Sequence, residues 1–169
     1  PDIRADYPLV SDVVAEKFKV RGHQKVGCIG WSDWRAEYSG LGPALRKAGI
    51  EFKDEYCIPG CVHESGRISR LVKSEKLTGL AINAQDRYIE AAFAELSALS
   101  DEQRPEVIIH SSKVSSNLIK RYPSIKVISI WSNDSSELAV AAVGMLLDNL
   151  DIPENISSIN VKKYEFKTI

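Results

Sequence analysis

The chain has 169 residues, 44% of them hydrophobic, with 22 basic and 23 acidic side chains and a formal net charge of -1. That length suits one domain, or one large lobe with a small appendage, and it buries enough surface to need no disulfide staples. The near-zero charge excludes the electrostatic footprint of a nucleic-acid-binding surface in this segment, and no apolar run approaches the roughly 18 residues of a membrane span.

Helix and strand signals then alternate from end to end. Val10, Val13, Val14 and Phe18 recur at helical spacing, and Gly22 follows as a C-cap. Arg21-Gly22-His23 at this helix end reads as charge compensation of the helix dipole. Val26 to Ile29 is a short apolar strand. Leu41, Ala44, Leu45 and Ala48 mark a second helix, stopped by Gly49. Glu55 to Ile58 reads as a second strand, closed by Pro59-Gly60. Ile68, Leu71 and Val72 predict a third helix, Leu77 to Ile82 a third strand, and Ile89, Phe93 and Leu96 a fourth helix. Val107 to His110 and Val127 to Ile130 are the fourth and fifth strands. The stretch 111–124 between them is the least regular, and is expected to cross toward another lobe. Leu138, Ala141, Ala142, Met145 and Leu146 form a last helix, and residues 159–166 a final extended segment. Regular alternation of this kind predicts an α/β fold: a mostly parallel open sheet with helices on both faces, its strands continuously apolar because both faces are covered.

In an open parallel sheet, ligands sit at the carboxyl ends of the strands. Trp31, Ser32 and Asp33 follow the first strand, and His63 and Glu64 the second. Asn83 and Asp86 follow the third strand, Ser111, Ser112 and Lys113 the fourth, and Trp131, Ser132, Asn133 and Asp134 the fifth. Flat apolar rings beside hydrogen-bonding groups suit a polyhydroxylated or small polar ligand. Each residue also has a plainer reading. Asp33, Asp86 and Asp134 serve equally as helix N-caps, Asp134 with Glu137 as a capping box, and Trp31 and Trp131 as core or dimer residues. Cys57, Cys61 and His63 are too few for a metal site, and a Cys-His nucleophile pair lacks a positioned base and oxyanion donor. No metal, cofactor or catalytic residue is expected. No G-x-G-x-x-G follows the first strand, there is no P-loop, and Gly30-Trp31 stands where a phosphoacceptor receiver would need clustered acids.

Several segments together resemble the effector-binding domain of LacI/GalR-type transcription regulators, which have the type I periplasmic-binding-protein fold. Asp6 to Ile29 resembles the family's aspartate, amphipathic helix, Gly-His, basic residue and apolar strand. Gly40-Leu41 with Ala44, Leu45 and Ala48-Gly49-Ile50 resembles its next helix. Gly60 to Gly66, Thr78 to Asp86, Pro105 to Ile109 and Val127 to Asp148 follow in the family's order, so the resemblance runs over residues 6–166. It implies that residues 1–169 are the C-terminal part of such a domain, with the DNA-binding head and most of the first lobe preceding Pro1. A chain that opens on Pro1 and carries its one methionine at Met145 fits a piece of a longer protein.

The resemblance puts the family's ligand-binding aspartate at Asp86. It also marks three departures. Glu37 stands where the family has an arginine, and Arg35, two residues away, compensates only if the turn shifts. Val62 and His63 replace a stacking aromatic residue. Ser111, Ser112 and Lys113 replace a glycine-aromatic-aspartate. What it implies is a sensing and dimerising region of a cytoplasmic regulator that takes a sugar-like effector between two lobes. The expected lining is Asp86, Trp31, Ser32, Glu37, His63, Asn83, Ser112 and Trp131. The expected partners are a small-molecule effector, a second copy of the chain, DNA through a domain outside this segment, and no membrane. Two alternatives have their own signatures: a solute-binding protein for sugar uptake would carry a secretion signal, and a lobe that has lost its ligand would keep only dimerisation. An odd number of cysteines argues against a secreted disulfide framework.

Overall fold

The computed structural model describes residues 7–30, 40–59, 65–84, 86–110 and 116–131. Their elements alternate as the sequence predicts, with α5 added between the last two strands: α1 (Tyr7–Val20), β1 (Val26–Gly30), α2 (Leu41–Lys47), β2 (Cys57–Pro59), α3 (Arg67–Glu75), β3 (Gly79–Asn83), α4 (Asp86–Ser97), β4 (Glu106–His110), α5 (Ser116–Arg121) and β5 (Val127–Trp131). The five strands pair in parallel throughout, in the order β2-β1-β3-β4-β5.

The strands send alternate residues to opposite faces, and each face has its own helices. On one face, Val26 and Cys28 of β1, Ala81 of β3 and Ile108 of β4 pack against Val10, Val14, Ala15 and Phe18 of α1 and Ala44 and Leu45 of α2. On the other, Ile29, Ile58, Leu80, Ile82, Val107 and Ile109 pack against Ile68 and Val72 of α3, Ile89, Phe93 and Leu96 of α4, and Leu118 of α5. Two of the closest approaches run over glycine. A methyl group at Gly79 would stand 2.7 Å from the buried Phe18 ring, and one at Gly27 would stand 2.7 Å from Leu77.

Three helices stop by one device. After α1, Gly22 turns left-handed at φ 78°, and the His23 and Gly22 N–H groups donate back to Phe18 and Lys19. Gly49 and Ile50 repeat the motif after α2, and after α3 the N–H groups of Lys76 and Leu77 both donate to the Val72 carbonyl. This double closure satisfies carbonyls that a helix end would otherwise leave unpaired. At the third site the left-handed residue is Lys76, at φ 54°, a conformation that opposes its Cβ.

Three expectations need correcting. Residues Asp54–Tyr56 form a 3₁₀ turn, not the start of β2: the Tyr56 N–H donates to the Lys53 carbonyl, and Tyr56 reaches the core from the turn, 1% exposed. β3 starts at Gly79 because Leu77 is spent closing α3. The stretch 111–124, read as irregular, contains α5, and β5 lies beside β4. The last helix and the final extended segment lie outside the described residues.

Candidate functional site

The strand order decides where a ligand has room. From β1 the chain steps outward to β2, then returns across β1 to place β3 on its other side, and continues outward through β4 and β5. The winding therefore reverses between β1 and β3. At such a point the connections leave in opposite directions and open a crevice beyond the carboxyl ends of the strands.

Those ends fall in one row. Asn83 is the register partner of His110, and His110 of Trp131. On the far side of the reversal Ile29 partners Ile82, so Gly30 closes β1 at the level of Asn83, and Gly30 partners Pro59. Asn83, half-buried, follows the parity of Ala81 and so belongs to the face covered by α1 and α2. Buried Ala84 makes the turn, and α4 opens at Asp86. Asp86 is thus the first helical residue rather than the cap before it, still within the first turn, where the helix dipole favours a negative charge.

Of the expected lining, the structure brings Asn83, Asp86 and Trp131 to one edge of the sheet. Trp31, Ser32, Glu37, His63 and Ser112 lie outside the described residues. His110 was missed as a rim residue. Its signal was available: it is the polar residue that closes an apolar strand, directly before Ser111.

The helix that begins next along this rim is held from outside itself. α3 starts after Gly66 with no side-chain cap of its own. The carboxylate of Glu95, on α4, accepts the N–H groups of Gly66, Ile68 and Ser69 at 2.9, 3.0 and 3.1 Å. Three donors that the first turn leaves unpaired are satisfied at once, and α3 is tied to α4.

The amino ends of the strands are charged and closed. Glu106, the first residue of β4, accepts from Arg21 through both oxygens, from His23 at 3.1 Å and from Lys126. The Arg21 hydrogen bonds, helped by Lys126 and His23 and opposed by partial burial, hold its pKa down at about 2. Nearby, Glu51 accepts from the Tyr56 hydroxyl at 2.8 Å and pairs with Lys53 and Lys25. The Lys53 contact, then the Tyr56 one, lower the Glu51 pKa. A groove between α1 and α2 is lined by Val13, Ala15, Ala44 and Ala48, with Asp12 and Lys47 paired at 4.0 Å beside it. Among the described residues no cluster of three or more His, Cys, Asp or Glu side chains could hold a metal, and no helix is long and apolar enough to cross a membrane.

No family model and no curated protein matches the chain. Solved structures do. The transcription regulator CcpA of Lactococcus lactis superposes with a TM-score of 0.65 at 19% identity over 99% of this chain. A LacI family transcriptional regulator from Enterococcus faecium, solved with bound ribose, gives 0.65 at 15% identity over 98%. GanP, a glucose-galactose binding protein from Geobacillus stearothermophilus, gives 0.68 at 13% identity over 99%. The chain spans 63%, 63% and 61% of those chains respectively. The fold is therefore the α/β, periplasmic-binding-protein-like fold shared by LacI-type regulators and a sugar-binding protein, in a chain about three fifths as long.

Proposed function

We propose that this chain is the effector-sensing and dimerising region of a cytoplasmic DNA-binding transcription regulator, and that it binds a small, sugar-like ligand at the carboxyl rim between β1 and β3. The observation that carries the reading is the reversal of winding at that point, with Asn83 ending β3 and Asp86 opening α4 beside it. A carboxylate at a helix start accepts two hydroxyl donors while the helix stabilises its charge, which is the chemistry a polyol needs. Trp131 would supply a flat apolar face, with Trp31, Ser32, Glu37, His63 and Ser112 completing the lining. Binding that favours one arrangement of two lobes over another would reposition DNA-binding heads carried outside this segment, and a two-fold operator calls for a homodimer.

Calorimetry on the intact chain, with ribose and then a panel of sugars, sugar phosphates and nucleosides, tests this. Asp86→Ala should weaken the ligand found by about 1.5–3 kcal/mol, the scale of a charge-assisted hydrogen bond. Unchanged affinity overturns the assignment. A raised melting midpoint with silent catalytic assays separates binding from catalysis, and sedimentation reads the dimer. The likeness to GanP supports a second reading, a solute-binding protein for uptake. A helix-turn-helix or a secretion signal encoded before Pro1 decides between the two.

A further inference from the structure

Two thiols meet across the seam between β1 and β2. Cys28 and Cys57 are register partners on these parallel neighbours, and their sulfur atoms are 3.0 Å apart. Neighbouring strands run about 4.8 Å apart, inside the roughly 4.4–6.8 Å between Cα atoms that a disulfide spans.

The two cysteines are not equivalent. Cys28 lies on the inner strand under α1 and α2, 7% exposed. Cys57 sits on the short outer strand, half-buried at the margin of the same cluster. The Cys28 thiol donates to the Cys57 sulfur. That hydrogen bond, and burial after it, push the Cys28 pKa well up.

We propose that Cys28 and Cys57 form a reversible redox site, closed to a disulfide by a low-molecular-weight disulfide that enters at Cys57. The Cys57 thiolate attacks one sulfur of the incoming disulfide. Its S–S bond breaks, one small thiolate leaves and takes up a proton, and a mixed disulfide remains on Cys57. Cys28 loses its proton and attacks the Cys57 sulfur, and the second small thiol leaves. The protein gives up two electrons and two protons, and the small disulfide receives them as two thiols. The product ties β2, a strand of three residues, to its neighbour β1.

The third cysteine, Cys61, lies outside the described residues, so the test uses the full chain carrying Cys61→Ser. The protein is incubated with oxidised glutathione, denatured, alkylated with N-ethylmaleimide, weighed intact and mapped without reduction. The expected product has lost two hydrogens, takes no maleimide, yields a linked peptide pair containing Cys28 and Cys57, and reverts with dithiothreitol. Cys28→Ser in the same background should stop at a single glutathione adduct on Cys57, and Cys57→Ser should form no adduct. Full maleimide labelling after oxidation, or a stable glutathione adduct with both cysteines present, overturns the proposal. None of these outcomes depends on whether the rim binds a sugar.

Discussion

The two ends of the strands are made of different chemistry. At the amino ends carboxylates meet cations directly: Glu106 gathers Arg21 and Lys126 and also accepts from His23, and Glu51 gathers Lys25 and Lys53. At the carboxyl ends the described strand-end residues are Gly30, Pro59, Asn83, His110 and Trp131, and α4 opens at Asp86. Charges that close on one another hold a fold. A polar guest needs a few hydrogen-bonding groups in a crevice, and the reversal between β1 and β3, with Asn83 at its edge, is where the topology leaves room for one. In the reading proposed above, the amino end serves stability and the carboxyl end recognition.

The sharpest way to break that division is to damage the amino end and ask whether only stability suffers. Gly79→Val would drive a branched side chain into the buried Phe18 ring and Val26. It should cost about 3 kcal/mol in urea unfolding. A cost below about 1 kcal/mol would mean that this face repacks freely.

Glu106 gives a gentler and pH-dependent probe. Its pKa is about 2 in the folded protein against an ordinary value of 4.5. A depressed carboxylate contributes stability above its unfolded pKa and loses it as pH falls. The contribution is therefore whole above about pH 5 and disappears between roughly pH 4.5 and 2. After allowance for solvent screening of the exposed Arg21 and Lys126 it amounts to roughly 2 kcal/mol. Glu106→Gln should lower stability by that amount at pH 7 and flatten the acid limb, while leaving any ligand affinity unchanged. Asp86→Ala is the converse experiment, with its main effect on affinity. A variant at either end that moved both readouts equally would dissolve the distinction.

The smallest effect lies at the end of α3. Lys76→Gly removes a left-handed lysine from a motif that Gly22 and Gly49 serve elsewhere. It should stabilise the protein by about 0.5–1 kcal/mol in thermal or urea unfolding, less than the conformational cost because glycine also loosens the unfolded chain. Loss of stability would show that the lysine side chain contributes more than its backbone costs.

The order of elements was legible in the sequence because each strand is a short apolar run and each helix carries a stripe. Gly22 and Gly49 announced their helix ends. Lys76 could not, since nothing in a lysine signals a left-handed turn. Tyr56 looked like a strand residue because it is apolar and buried, but a turn delivers it. α5 was hidden by its brevity, six residues with Leu118 the one buried side chain among those described. The order β2-β1-β3-β4-β5 and the clasp of Glu95 on α3 depend on contacts between distant parts of the chain, which no local period records. On the site, sequence placed Asn83, Asp86 and Trp131 on the rim and overlooked His110, which it had assigned only to a strand.

The modest size of β2 has a consequence for solubility. A sheet margin with bare amide and carbonyl groups is a template on which another chain can lay a strand, and long flat margins nucleate aggregates. Here the margin on the β2 side of the described sheet is three residues long and finishes in Pro59, which has no N–H to offer. A would-be intruder finds too few rungs to climb, so brevity on this flank guards the molecule against fibre growth.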